Sequence, residues 1–157
     1  MPDYELMAKQ IRALAETDRG FIPVLSNAAA VLRWGMDRIN WVGFYLMNQG
    51  GLVVGPFQGK AACVRIDIGK GVCGSAVSQG RILRVGDVHA FPGHIACDSA
   101  SRSEIVLPLR WNGKIVGVLD IDSPEKGRFT ESDERGLEAV VNVLEQAADF
   151  SKLELLE

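Results

Sequence analysis

The chain has 157 residues, 47% of them hydrophobic and 24% charged, a globular balance that excludes a disordered polymer and leaves room for one domain of ordinary size. A formal net charge of −3 sets up no field that attracts polyanions, so nucleic acid is not expected as a partner. The apolar runs fall far short of the roughly 18 to 20 residues that cross a bilayer and the N-terminus lacks a signal-peptide core, so a soluble, cytoplasmic protein with no membrane contact is expected.

In chain order, Tyr4, Met7, Ile11, Leu14 and Ala15 recur at helical spacing with charges between them, which predicts an amphipathic helix over 4–16. A second, more buried helix is predicted over 21–32, with Pro23 in its first turn, where the missing N–H costs little. Trp41, Gly43 and Tyr45 then alternate with Val42, Phe44 and Leu46, and the turn residues 49–51 separate them from Leu52, Val53 and Val54, so a β-hairpin follows. Residues 56–74 are rich in glycine and read as an excursion, ending in a short helix over about 71–79 and a short strand within 81–85. The stretch 86–103 shows little apolar periodicity, and a loop of that length inside a compact domain usually carries function. Two β-rich runs, 104–111 and 114–122, are joined by Asn112 and Gly113, the preferred pair for a type I′ turn. Thr130 followed by Asp133 marks the start of a last helix that carries Leu137, Val140, Val141 and Leu144 to about residue 150. This order predicts an α+β domain, with an antiparallel sheet, helices packed largely on one face and a pocket on the other.

Several residues can carry chemistry. Asp120 and Asp122 share one strand face, where two carboxyls raise each other's proton affinity and call for a cation, a metal or a shared proton; a solvated strand end is the alternative. Counting back from the two-residue turn sets Glu104 opposite Ile121, on the wrong face to join them, unless a bulge at Pro108 shifts the register by one or Glu104 precedes the regular strand and turns inward. Cys63, Cys73 and Cys97 form an odd, widely spaced set that argues against a secreted disulfide framework and leaves buried hydrophobes, metal ligands or redox thiols. Cys73 lies at a predicted helix start, where the dipole favours a thiolate. No C-x-x-C or H-x-x-x-H spacing supports zinc. His94, three residues before Cys97, can assist a thiol or pack the loop, while Trp41 and Tyr45 can be core or the wall of an apolar slot.

Taken together, Asn40-Trp-Val-Gly-Phe-Tyr-Leu46, Gly55-Pro-Phe-Gln-Gly-Lys60, Lys70-Gly-Val-Cys-Gly74, Asp87-Val-His-Ala-Phe-Pro-Gly-His-Ile-Ala-Cys-Asp98 and Leu119-Asp-Ile-Asp-Ser-Pro124 closely resemble the free methionine-(R)-sulfoxide reductases, which are GAF-domain enzymes. The resemblance implies one GAF domain over 1–157, with its core at about 21–150, whose cavity holds free methionine sulfoxide. It implies Cys97 as nucleophile, Cys63 as the recycling cysteine that forms a disulfide with it, and Cys73 as a second or alternative partner. Glu104, Asp120 and Asp122 match the acidic substrate positions, which favours Glu104 inside the pocket against the unbroken register; Trp41 and Tyr45 match the residues that wall the methyl group. The family chemistry needs no metal and no bound cofactor, only an external dithiol reductant, thioredoxin. No Arg is placed for the substrate carboxylate, so backbone N–H groups around Ile95, Ala96 and Cys97 are expected to meet it. A homodimer is expected through the first and last helices, whose apolar surface exceeds what one sheet face covers. The alternatives are a GAF small-ligand sensor with regulatory or inert cysteines, and a zinc-stapled module.

Overall fold

Strand alternation around residues 41–46 sets the plan of the molecule, because it sends Val42, Phe44 and Leu46 into one apolar cluster and Trp41 and Tyr45 into another on the opposite face of the same sheet. These features belong to a computed structural model, which describes residues 1–95 and 97–153. Its elements are α1 (Tyr4–Ala15), α2 (Phe21–Gly35), β1 (Trp41–Asn48), β2 (Gly51–Gln58), β3 (Arg65–Ile66), α3 (Gly71–Gln79), β4 (Leu83–Val85), a 3₁₀ turn (Val88–Ala90), β5 (Ser103–Trp111), β6 (Lys114–Ser123) and α4 (Glu131–Ala147). The six strands form one sheet in the order β3-β2-β1-β6-β5-β4, and each neighbouring pair is antiparallel.

The larger cluster packs α1, α2 and α4 against one face through Ile11, Leu25, Leu32, Leu137, Val140 and Leu144; α3 covers part of the other face through Val72, Cys73 and Ala76. The α+β reading with helices largely on one face therefore holds. Both hairpins turn on two residues in the left-handed region, Gln49-Gly50 and Asn112-Gly113, as a type I′ turn requires. The Thr130 side chain accepts from the Asp133 N–H while the Asp133 carboxylate accepts from the Thr130 N–H, a complete capping box at the start of α4.

Several expectations are corrected. The helix α4 ends at Ala147 rather than about 150, and α2 continues past 32 to Gly35. The core starts at Tyr4 rather than 21, since Tyr4, Met7, Ile11 and Ala15 belong to the main cluster. Leu14 falls outside that stripe and is 46% exposed. The buried stripes of the first and last helices pack on each other and on α2, with the Tyr4 hydroxyl donating to Asp133 Oδ1 at 2.6 Å. On the described helices the large apolar side chains left uncovered are Leu6 and Leu14 of α1 and Ile22 and Trp34 of α2, with Trp34 87% exposed.

Beside that contact lies buried Arg128, which donates to Asp133 Oδ2 at 3.0 Å and to Asp37 Oδ1 at 3.1 Å. Burial opposes the Asp133 charge, but hydrogen bonds from Tyr4 and Thr130 and the Arg128 guanidinium hold its carboxyl below the usual range. Among the described residues no helix is long and apolar enough to cross a membrane.

Candidate functional site

The pocket face is built at the centre of the sheet. In the β5–β6 hairpin Trp111 pairs with Lys114 and Arg110 with Ile115, but Leu109 then pairs with Gly117, so Val116 is an extra residue in β6. From there the register is shifted by one, and Glu104 stands opposite Asp122. The count that set Glu104 against Ile121 is thus overturned, and so is the placement of the bulge at Pro108, which pairs in register with Val118. Two contacts account for the position. A Cβ on Gly117 would lie 2.4 Å from the Tyr45 carbonyl oxygen of β1, so only glycine lets the strands close there. The Arg110 N–H, next to the bulge, is taken by Glu145 Oε2 of α4 at 2.6 Å.

The shift brings Glu104 onto the side of Asp120 and Asp122, and all three line a cavity of about 40 Å³ together with Trp41, Tyr45 and Cys73. Asp120 is only 5% exposed and Glu104 8%, which removes the solvated-strand-end alternative for Asp120. Burial, and next the charge of Asp122, push the Asp120 carboxyl up to about 8. Burial and then Asp120 raise Glu104, while burial and then Glu104 raise Asp122. Asp120 Oδ1 is buried with no hydrogen-bond partner. A cluster in this condition can hold a proton at neutral pH and can accept a cation.

The aromatic wall is a stack held by one hydrogen bond. Trp41 stacks on Phe57 and Tyr45, with ring centroids 5.2 and 5.8 Å apart, and its Nε1–H donates to the Lys60 carbonyl at 3.1 Å. Gly43 lies between Trp41 and Tyr45 on the same side, where a Cβ would stand 2.3 Å from Phe57 Cβ, so its lack of a side chain admits Phe57 to the stack. The Tyr45 hydroxyl donates to the Cys63 carbonyl at 3.1 Å and so ties the aromatic wall to a cysteine backbone.

Cys63, between β2 and β3, and Cys97, in the loop before β5, are joined in a disulfide with a Cα–Cα separation of 5.5 Å. The bond crosses 34 residues of sequence and links the two glycine-rich excursions, with Cys97 lining the pocket. Cys73 is free and buried in the first turn of α3, its Sγ donating to Glu104 Oε2 at 3.9 Å. Burial and then the Asp120, Glu104 and Asp122 charges push this thiol well above its ordinary range. The expected thiolate is thus overturned: desolvation and three nearby acids outweigh a helix N-terminus, whose field is worth about half a charge. The donor atoms of Cys73, Glu104 and Asp120 lie within 4.8 Å of one another, a set able to hold a metal ion.

The loop carrying Cys97 contributes less regularly. Ile95 and His94 line the cavity, while Ala96 lies outside the described residues. The Cys97 N–H, expected to face a ligand, donates to the Ile95 carbonyl at 3.2 Å. His94 meets His89 edge-on at 5.9 Å, and burial followed by His89 lowers its proton affinity, so it packs the loop and borders the pocket at once. Sequence reasoning quoted Asn40 within a motif but gave it no role; its Nδ2 donates to Asp98 Oδ2 and Ser101 Oγ, both at 3.0 Å, anchoring this loop to the start of β1. Its one signal was an amide side chain directly before a strand. Lys70, quoted only as the start of a motif and given no role, also lines the cavity.

Compared with known proteins, residues 4–148 match the GAF domain family. The free methionine-R-sulfoxide reductase of Escherichia coli is 52% identical over 152 residues, covering 95% of this chain and 92% of that protein. The fRMsr of Staphylococcus aureus in its reduced form superposes with a TM-score of 0.91 at 52% identity, over 95% of this chain and 97% of that one. The Neisseria meningitidis free methionine-R-sulfoxide reductase, solved with its substrate, gives a TM-score of 0.90 at 42% identity over 96% and 91% of the two chains.

Proposed function

The chain belongs to the GAF-domain family and, within it, to the free methionine-R-sulfoxide reductases, which are oxidoreductases, and on that basis we propose how its residues divide the reaction. The substrate is free L-methionine-(R)-sulfoxide. The Cys97 thiolate attacks the sulfoxide sulfur while a protonated carboxyl of the Glu104, Asp120 and Asp122 cluster delivers a proton to the sulfoxide oxygen. A second proton lets the oxygen leave as water from the sulfur now bonded to Cys97; water then attacks Cys97 Sγ, the sulfur–sulfur bond breaks, methionine leaves, a proton is released, and Cys97 remains as a sulfenic acid. The Cys63 thiol then attacks the Cys97 sulfur, water departs, and the Cys63–Cys97 disulfide remains. An external dithiol reductant, thioredoxin, reopens it by exchange; no bound cofactor is required, and the chemistry suits a cytoplasmic enzyme. Cys73 serves as a second or alternative partner for the sulfenic acid.

The observation that carries this proposal is the Cys63–Cys97 bond itself, the product of one turnover, standing at a pocket lined by buried acids. Glu104 and one Asp pair the substrate ammonium, which explains a preference for the free amino acid: an amide nitrogen has no charge to offset the desolvation of those carboxyls. Trp41 and Tyr45 enclose the methyl group, and backbone around Ile95, Ala96 and Cys97 receives the carboxylate once reduction frees the Cys97 loop. A cavity of about 40 Å³ has room for a few waters, so substrate enters after the disulfide opens. The enzyme works as a homodimer, and the face for it is the α1–α2 surface that carries Leu6, Leu14, Ile22 and Trp34.

The test is turnover of free methionine-R-sulfoxide against its N-acetyl derivative by reduced protein, with methionine release and thiol loss followed together. One methionine per disulfide formed, with the acetylated substrate nearly inert, is expected. Equal turnover of both substrates defeats the ammonium pairing, and unchanged thiols in the presence of sulfoxide favour a sensor.

A further inference from the structure

One reactive group has no part in the disulfide. Cys73 is a free thiol, 3% exposed, facing Glu104 and Asp120 across the buried end of the cavity. Sequence spacing offers no C-x-x-C or H-x-x-x-H pattern to support zinc; α3, β5 and β6 assemble the donors in space instead.

We propose that Cys73 Sγ, Glu104 and Asp120 form a three-ligand site for a thiophilic divalent cation of the zinc or cobalt(II) class. Three observations support it. Tetrahedral zinc, with metal–sulfur and metal–oxygen bonds of about 2.3 and 2.0 to 2.2 Å, sets a sulfur–oxygen edge of roughly 3.6 Å. The Cys73 Sγ to Glu104 Oε2 distance is 3.9 Å, a few tenths of an ångström from that edge, and all three donors lie within 4.8 Å of one another, so side-chain adjustment of about an ångström or less closes the set. Asp120 is 5% exposed, and its buried Oδ1 lacks any partner and borders this cavity. One thiolate with two carboxylates selects a borderline-soft ion over calcium or magnesium, which take oxygen ligands alone. On binding, the thiol proton and the protons that the buried Glu104 and Asp120 carboxyls carry leave to solvent, and the sulfur and two carboxylate oxygens ligate the metal; no oxidation is involved. The cavity of about 40 Å³ leaves room for a water as the fourth ligand. The geometry of the site is independent of the reaction above; only its exclusion of a substrate ammonium from the same carboxyls rests on that proposal.

The test uses the full chain in its Cys63–Cys97 disulfide form, titrated with Co²⁺ and followed by absorption. With three cysteines in the chain and two of them bonded, a sulfur-to-cobalt charge-transfer band in the near ultraviolet reports Cys73 alone. The expected result is a band that saturates at one metal per chain and disappears when Zn²⁺ displaces Co²⁺. Cys73→Ser should abolish the band and weaken affinity by roughly tenfold or more, and Glu104→Gln should weaken affinity similarly while keeping the band. Absence of the band in the disulfide-bonded wild type, which depends on no variant folding correctly, overturns the proposal. So does an affinity that neither substitution changes.

Discussion

Replacing Asp120 with asparagine should make the protein more stable and less active at once. The carboxyl is buried and its proton affinity is raised from 3.8 to about 8, with burial the first cause and Asp122 the second. For a raised group the stabilising contribution is complete below the unfolded value of 3.8 and is lost as pH rises through about 8. At pH 7 the unfolded chain ionises this group freely while the folded chain holds it protonated, a difference of about three units at about 1.4 kcal/mol each, or about 4 kcal/mol. The amide keeps the size and the hydrogen-bonding atoms of the carboxyl but has nothing to ionise. The expected gain is therefore about 1 to 4 kcal/mol at pH 7, at the lower end if Glu104 or Asp122 takes up the proton that Asp120 releases. In a chain of this length that corresponds to a melting temperature higher by roughly 2 to 15 °C. Urea unfolding of the disulfide form of both proteins from pH 4 to pH 8.5 measures it, and the difference between them isolates Asp120 from every other titrating group. It should be near zero at pH 4 and grow through neutrality. In the reduced protein the same substitution should lower kcat/KM by roughly 10- to 150-fold through loss of a charge-assisted contact. A variant less stable than wild type at pH 7, or a gain that does not change with pH, would refute the reasoning, because the carboxylate would then be ionised and paired in the fold.

The remaining predictions address other parts of the molecule. Cys97→Ser should release no methionine even in a single turnover, whereas Cys63→Ser should release about one per subunit and then stall, as quenched-flow measurement of methionine would show; a first turnover lost in Cys73→Ser alone would reassign the nucleophile. Glu104→Gln should lose activity to an extent comparable with Asp120→Asn, since the bulge turns both side chains into one cavity, and steady-state kinetics that match wild type would contradict this. Arg128→Met should cost about 3 to 5 kcal/mol by stranding the Asp133 carboxylate, with a correspondingly lower urea midpoint. Asp133 is lowered in the fold, so its contribution is present above the ordinary carboxylate range and fades as pH falls; the penalty of Arg128→Met should shrink in acid. Gly117→Ala should destabilise strongly, because its Cβ meets the Tyr45 carbonyl rather than a side chain that can move, and thermal melting would register it.

Much of the secondary structure was legible in the chain because its causes are local. Asn112 and Gly113 favour the left-handed backbone that a type I′ turn needs, Thr130 and Asp133 cap a helix within one turn, and the alternation around Trp41 and Phe44 assigns the two sheet faces without reference to any partner. The placement of three cysteines in glycine-rich excursions was equally visible as a departure from core periodicity. What the tertiary structure alone decided is which of these side chains meet. The extra residue at Val116, where Gly117 lets β6 close on the Tyr45 carbonyl and α4 supplies Glu145 to the Arg110 N–H, turns Glu104 toward Asp120 and Asp122, and no interval within the hairpin encodes that contact. The Cys73 thiol was misjudged for the same reason. A helix start is a local feature that favours a thiolate, but the state of the sulfur follows from burial beneath three acids carried by other strands, and desolvation depends on everything packed around a group rather than on its neighbours in the chain.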